Sequence, residues 1–103
     1  AFHYTVSCPF TDPAVAADWA AWLRGGHLQD VIDAGATSAQ LVTLDGDPTT
    51  LEAHYTFASR EAFAAYERDH ADRLRGEGLE TFPLSRGLSY TRRTGIADPL
   101  IGG

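Results

Sequence analysis

Residues 2–23, FHYTVSCPFTDPAVAADWAAWL, change their hydrophobic period partway along. Up to Cys8, apolar and polar residues alternate, which is the period of a half-buried β-strand. Asp12-Pro13 is typical of a helix start, because aspartate caps helices well and proline suits their first position. The apolar residues that follow recur at helical spacing: Val15, Trp19, Trp22 and Leu23. The stretch therefore predicts a strand and then a helix, which Gly25-Gly26 is expected to end.

The remaining sequence continues this succession of strands and helices. Its predicted elements are a short helix over 27–34, strands over 39–44 and 51–57, a helix after Ser59, and a last strand over 88–93. The inner stripe of the helix after Ser59 consists of Phe63, Tyr66, His70 and Leu74. Residues 94–103 form a tail, and its predicted packing anchors are Ile96, Leu100 and Ile101.

The order strand, helix, strand, strand, helix, strand predicts an α+β fold of the ferredoxin-like type. With right-handed crossovers, the simplest arrangement is a four-stranded antiparallel sheet in the order 4-1-3-2, with both main helices on one face. The length of 103 residues fits one domain, so residues 1–103 are predicted to form a single ferredoxin-like domain.

The other face of this sheet carries no helix. It is predicted to present His3, Thr5, Ser7, His54, Thr56, Ser89 and Thr91, with Ala39 and Leu41 left open as further members. This face is too polar for a core and too lightly charged for a typical solvated surface, so we expect it to pack against a second copy or to line a wet cavity. The chain is therefore a predicted homodimer. Opposed or diagonal neighbours on adjacent strands lie about 5–8 Å apart, so His3 and His54 are predicted to lie near each other and to make polar contacts at the interface.

The charge balance restricts the partners further. The chain carries 14 acidic and 8 basic residues, for a formal charge of −6, and the basic residues do not cluster beyond Arg92-Arg93. Nucleic acids and anionic membranes attract basic surfaces, so neither is an expected partner. The single cysteine, Cys8, cannot form an internal disulfide, and the sequence shows neither a signal-peptide pattern nor an apolar run of about 18 residues. The expected location is cytoplasmic.

Two segments carry a family resemblance. Trp19-Ala-Ala-Trp22 followed by His27-Leu-Gln-Asp30-Val31 resembles the W-x-x-W…H-[IL]-x-D-V segment of domain of unknown function 4286. Tyr66-Glu-Arg-Asp-His70-Ala71, Leu74-Arg75 and Glu77-Gly-Leu79 resemble its Y-x-x-x-H-A…L-R…E-x-L stretch. The resemblance covers nearly the whole chain and implies a dimeric α+β barrel without implying an activity. Wider relatives of that barrel include cofactor-independent monooxygenases, isomerases, polyketide cyclases and haem-degrading enzymes, so the fold does not select a function.

The aromatic residues of the two helices are candidates for a ligand pocket. Trp19, Trp22 and Tyr66 lie on the inner stripes, where they either fill the core or stack on a ligand between helices and sheet. Cys8 ends the first strand on the same side, at the predicted height of His70. It is either a small buried hydrophobic residue or the thiol of a Cys–His dyad.

Two histidines are candidates for a catalytic base. His70 interrupts an apolar stripe and is predicted to face the sheet, as a satisfied core residue or as a neutral base in a cavity. His27 follows the first helix and either caps it or acts as a base, with Asp30 orienting the ring. Antiparallel helices would separate His27 and His70 by roughly 15 Å, so no metal site is predicted from them.

Three functions remain open at this level. The chain is a small-molecule-binding or accessory protein with an apolar or aromatic ligand, a cofactor-independent oxygenase, isomerase or cyclase acting on an aromatic or polyketide-like substrate, or a structural module. The sequence lacks a P-loop, a dinucleotide-binding glycine motif, a nucleophile elbow and an HExxH motif, so no cofactor is predicted. A ligand site of ordinary size would leave a cavity of about 300–1,000 Å³ between helices and sheet.

Overall fold

Within residues 1–98, which the computed structural model describes, the chain forms four strands and four α-helices. The strands are β1 Phe2–Phe10, β2 Ser38–Thr43, β3 Thr49–Phe57 and β4 Thr91–Ile96. The helices are α1 Pro13–Trp22, α2 Leu28–Asp33, α3 Arg60–Tyr66 and α4 Asp72–Thr81. A first π turn, Leu23–His27, joins α1 to α2, a second π turn, Glu67–Ala71, joins α3 to α4, and a 3₁₀ turn spans Leu84–Arg86.

The two helical segments on the sheet begin at the capping residues that the sequence indicates. The Asp12 side chain accepts a hydrogen bond of 2.9 Å from the backbone N–H of Ala14, and Pro13 opens α1. The Ser59 hydroxyl accepts one of 3.1 Å from the N–H of Ala62 at the start of α3. Each cap satisfies a helix-terminal donor that has no partner within the helix, which fixes where the helix begins.

The sheet has the order β2-β3-β1-β4, and every pair is antiparallel. This is the predicted order 4-1-3-2 counted from the opposite edge, so the ferredoxin-like fold is confirmed. Helices cover one face, and there the inward residues of β1 and β3 form the centre of the core. This core includes Phe2, Tyr4, Cys8, Tyr55 and Phe57, each no more than 3% exposed.

Strand pairing corrects the predicted composition of the open face. Ala39 is opposite Tyr55 and Leu41 is opposite Ala53, and residues directly opposite each other share a face of the sheet. Both therefore lie on the helix-covered side. On the open face, β2 instead presents Gln40, opposite His54, and Val42, opposite Glu52.

The last strand begins and ends later than predicted. Leu88 makes only an isolated bridge to Phe10, and β4 pairs with β1 from Thr91 to Ile96. Ile96, a predicted tail anchor, is opposite Phe2 but is 61% exposed, so it is a strand residue rather than a packed anchor. The other two predicted anchors, Leu100 and Ile101, lie outside the described residues.

Two π turns change the helix register in a way the sequence does not indicate. The glycine pair does not end the first helix, because the chain passes through the first π turn, kinks at Gly26 and continues into α2. A π turn holds one more residue than an α-helical turn, so every residue after it is rotated around the axis. After Tyr66, the buried position falls on Ala71, and His70 is rotated away from the sheet.

Candidate functional site

A small cavity lies between the helices and the covered face of the sheet. Its aromatic walls are formed by Tyr4, Trp19, Trp22, Tyr55, Tyr66 and Tyr90. The cavity measures about 40 Å³, enough for about three water molecules. It is therefore smaller than an ordinary ligand site, although its lining is unusually polar for a core.

One wall of the cavity is a stacked pair of rings at the first π turn. The Trp22 indole and the His27 imidazole lie 4.1 Å apart, centroid to centroid, with 20° between their planes. The Trp22 ring also packs against that of Phe82, with 5.5 Å between the ring centroids. The ring approaches α4 closely at Gly78, where an added Cβ would lie 3.5 Å from the indole. An alanine here would therefore make only an ordinary van der Waals contact with Trp22, whereas a larger side chain would meet the ring.

The polar end of the cavity is built around the hydroxyl of Tyr4. Arg75 Nη2 and Arg92 Nε each donate a hydrogen bond of 3.2 Å to this oxygen. Arg75 Nη2 also lies 3.2 Å from Glu67 Oε2, whereas Arg92 has no carboxylate partner among residues 1–98. Two guanidinium groups thus converge on one buried phenol.

Three buried polar atoms at this cavity lack a hydrogen-bond partner among the described residues. They are His27 Nδ1, Arg75 Nε and Trp19 Nε1. The Trp19 N–H lies near Tyr90, where it opposes part of the rise that burial causes in the pKa of that phenol, but it does not reach hydrogen-bond geometry. A buried polar group without a partner costs about 1–3 kcal/mol, so three around one cavity are a strong departure from ordinary core packing.

The remaining hydroxyls at the cavity are neutral. Burial raises the pKa of Tyr66 and of Tyr90 to about 12, and it raises the pKa of Tyr55 further still. The Tyr90 hydroxyl donates a hydrogen bond of 3.0 Å to the carbonyl oxygen of Phe82. These phenols therefore act as hydrogen-bond donors at neutral pH.

His27 is a neutral imidazole within this site. Burial lowers its pKa, and the nearby Asp30 carboxylate opposes part of that effect. His27, Asp30 and Glu77 place potential metal-ligand atoms within 4.8 Å of one another, whereas His70 is outside this group. Both carboxylates of the group are solvent-exposed, and Arg73 lies 3.9 Å from Glu77.

The structure corrects the predicted position of His70. It lines a surface groove with Asp30, Asp33, Ala34 and Arg73, and its Nδ1 lies 3.3 Å from Arg73 Nη2. The second π turn is the reason, because it rotates His70 out of the inner stripe. His70 therefore does not border the cavity, and the geometry gives no support to its predicted role as a base there.

Cys8 is also separate from the cavity. Its side chain is fully buried and does not line the cavity, and burial raises the pKa of its thiol to about 12. A thiolate nucleophile requires a lowered pKa and a base beside the sulfur, and His70 lies in the surface groove instead. Of the two alternatives for Cys8, the geometry therefore supports the small buried residue and gives no support to a Cys8–His70 dyad.

Four of the six residues singled out in the sequence meet at the cavity: Trp19, Trp22, Tyr66 and His27. Most of the polar groups come from residues that the sequence pattern did not single out: Tyr4, Tyr90, Arg75 and Arg92. One signal was available. Strand alternation through Tyr90 places Arg92 on the helix-covered face, where an arginine is unusual.

The open face of the sheet holds a second polar cluster. Glu52 is 5% exposed, and its two carboxylate oxygens lie 2.8 Å from His54 Nε2 and 3.3 Å from Arg93 Nη2. The hydrogen bond with His54 is the main reason that the pKa of Glu52 is lowered. His3 is opposite Thr56, so His3 and His54 are diagonal neighbours on this face.

No helix within residues 1–98 has the length and apolar character needed to cross a membrane.

Comparison with known proteins gives a family and a fold. The family model described as "Domain of unknown function (DUF4286)" matches residues 3–92. No curated protein matches the chain. Among solved structures, a dimeric ferredoxin-like protein from an uncultured marine organism has a TM-score of 0.70 at 13% identity, with 94% of each chain covered. A second dimeric ferredoxin-like protein of the same source type has a TM-score of 0.71 at 10% identity, over 99% of this chain and 97% of that one.

A third similar structure is an enzyme. It is a monooxygenase from the gene ActVA-Orf6 of Streptomyces coelicolor in complex with the ligand nanaomycin D. The TM-score is 0.66 at 20% identity, and the alignment covers 98% of this chain and 92% of the monooxygenase. At such identities, these three structures establish the shared fold alone.

Proposed function

The chain belongs to the DUF4286 family, and we propose that this member binds a small aromatic molecule in the cavity between its helices and its sheet. One observation carries the proposal: three buried polar atoms around this cavity have no hydrogen-bond partner within residues 1–98. A purely structural core would be expected to satisfy or exclude such groups. A ligand that enters the cavity offsets their cost.

The walls of the cavity favour an aromatic ligand. Trp19, Trp22 and Tyr66 expose ring surface to it, and His27 already stacks on Trp22 in an offset arrangement that a ligand ring can reproduce. Aromatic pairs of this kind contribute about 0.5–1.5 kcal/mol beyond their buried area. Ring stacking and buried donors are thus available in the same place.

The cavity must enlarge to admit a ring, because about 40 Å³ holds only water. The first π turn provides the freedom to do so. Gly25 and Gly26 lie between Trp22 and His27, and an added Cβ at either glycine would meet nothing within 4 Å. We therefore propose that the Trp22–His27 pair moves outward and that a ligand ring takes the vacated position.

The test uses the two tryptophans of the chain, both of which line the cavity. Naphthoate is titrated into ¹⁵N-labelled protein while the two indole N–H signals are followed by NMR. We expect saturable shifts of both signals. His27→Ala should change the affinity, and His70→Ala is the matched control, because it removes a histidine from the other π turn without altering the cavity. Indole signals that do not move at millimolar naphthoate would overturn the proposal.

We further propose that the protein works as a homodimer whose subunits pair through the open sheet face. Support comes from the two similar structures described as dimeric and from the clustering of Glu52, His54 and Arg93 on a face without helices. Light scattering at micromolar concentration should give close to twice the chain mass of 11.1 kDa. A persistent monomer would contradict this part of the proposal.

A second candidate function is cofactor-independent oxygenation of the bound aromatic molecule, which the likeness to a monooxygenase favours. In such a reaction a naphthol and O₂ give a naphthoquinone and water. One oxygen atom bonds to the ring carbon, and the other leaves as water with the two hydrogens that the naphthol loses. Oxygen uptake with naphthol, measured with an electrode, should be faster with the native protein than with His27→Ala. Equal uptake with and without protein would eliminate this candidate.

A further inference from the structure

We propose that the ligand of the cavity carries an oxyanion, such as a carboxylate or a phenolate, and that Tyr4, Arg75 and Arg92 hold it. This inference rests on the proposed function and names the class of ligand. It begins from the two arginine hydrogen bonds to the hydroxyl of Tyr4, each 3.2 Å long.

The first step is the direction of the Tyr4 proton. A guanidinium has donors and no acceptor, so Arg75 and Arg92 can only donate to the phenol oxygen. The proton of the phenol then needs an acceptor elsewhere, and the described residues offer none within hydrogen-bond geometry. Since Tyr4 is only 2% exposed and lines the cavity, its O–H is available to an acceptor inside the cavity.

The second step is the excess of donors over acceptors. Arg75 Nε and Trp19 Nε1 are further donors at the same cavity that find no acceptor in the described part of the chain. Among residues 1–98, no aspartate or glutamate side chain lines it. A molecule that brings acceptor oxygens into the cavity would pair these donors.

The third step is charge. Arg75 shares its guanidinium with Glu67, whereas Arg92 has no carboxylate partner within the described part of the chain. The polar end of the cavity therefore carries a net positive charge in a protein whose formal charge is −6. Charge-assisted hydrogen bonds are about twice as strong as neutral ones, so an oxyanion satisfies both the charge and the donors.

The test compares naphthoate with the uncharged naphthamide, which has nearly the same shape. Isothermal titration calorimetry at pH 7 should show naphthoate binding roughly tenfold to a hundredfold tighter. Arg92→Gln should remove most of that preference, and Tyr4→Phe should reduce it. Arg93→Gln is the matched control, because Arg93 is the next residue of β4, on the opposite face of the sheet. Thermal unfolding of each variant checks that it is folded.

The outcomes separate this inference from the proposed function. If both compounds bind equally well, the oxyanion is not recognised, although an aromatic site exists. If naphthoate is preferred but Arg92→Gln and Arg93→Gln behave alike, the three residues do not hold the oxyanion. If neither compound binds, the proposed function fails together with the inference.

Discussion

Glu52→Gln should destabilise the protein at neutral pH and leave its stability almost unchanged in acid. The carboxylate side chain is 6% exposed and makes two contacts, a hydrogen bond with His54 Nε2 at 2.8 Å and an ion pair with Arg93 at 3.3 Å. Glutamine keeps the shape and one acceptor oxygen but loses the charge. The change therefore isolates the charge of Glu52 from its packing.

The magnitude follows from the hydrogen bonds and from the exposure of the partners. Hydrogen bonds to charged groups contribute about 1.5–3 kcal/mol when buried. In a single subunit the side chains of His54 and Arg93 are 37% and 64% exposed, so solvent screens both contacts there and the expected loss per subunit is about 1 kcal/mol. For a domain of this size, that corresponds to a decrease in Tm of about 4–8 °C.

The pH dependence gives the test its sign. The pKa of Glu52 is lowered from 4.5 in the folded protein, so its contribution is complete above pH 4.5 and is lost as the pH falls through the folded-state value. The difference in Tm between the native protein and Glu52→Gln should therefore have its full size at pH 7 and fall to nearly zero at low pH. Glu80→Gln, at an exposed site on α4, is the control. A Glu52→Gln protein that is more stable than the native one would refute the reasoning, because it would mean that the cost of burying the carboxylate outweighs its contacts with His54 and Arg93.

Three further predictions concern the cavity and its surroundings. Burial lowers the pKa of His27 and Asp30 partly opposes it, so Asp30→Asn should lower that pKa further in an NMR titration; an unchanged value would show that the two groups do not interact. Because burial holds the folded-state pKa of His27 below 6.5, the protein should also lose stability as the pH falls below 6.5 toward that folded-state pKa. Burial raises the pKa of the Cys8 thiol to about 12, so a thiol reagent at pH 8 should label it only after unfolding in urea, and rapid labelling of the native protein would be evidence against the buried site. Gly78→Leu should displace the neighbouring indole and weaken naphthoate binding, whereas Gly76→Ala, at an open position of the same helix, should raise stability by about 1 kcal/mol; equal naphthoate affinity in both variants would contradict the geometry.

The fold could be predicted because its determinants are local. The alternation from Phe2 to Cys8, the capping residues Asp12 and Ser59, and the order of elements each depend on near neighbours in sequence, and each is present in the structure. Those signals limit the topology to the arrangement that is found. Strand boundaries were less accurate at β4, because Leu88 continues the apolar pattern without belonging to the paired strand.

The candidate site could be predicted only in part, since its polar groups meet over long distances in sequence. Tyr4 is 71 residues from Arg75 and 88 residues from Arg92. Bringing them together requires the register of two strands and the rotation of α4, and that rotation depends on a π turn. A π turn is a change in backbone hydrogen bonding and leaves no clear side-chain period. His70 was misplaced for this reason, although the preceding stripe residues Phe63 and Tyr66 were placed correctly.

The doublet Arg92-Arg93 shows how one step of strand register separates two functions. Read as sequence, it is a small basic cluster too weak to attract a polyanion. In β4 the two side chains point to opposite faces, because successive residues of a strand alternate. Arg92 donates to Tyr4 at the cavity, and Arg93 pairs with Glu52 on the open face that we propose as the subunit interface. A substitution of Arg92 therefore tests the cavity and a substitution of Arg93 tests the open face, and each variant is the control for the other. For this reason the ligand proposal and the dimer proposal can fail independently.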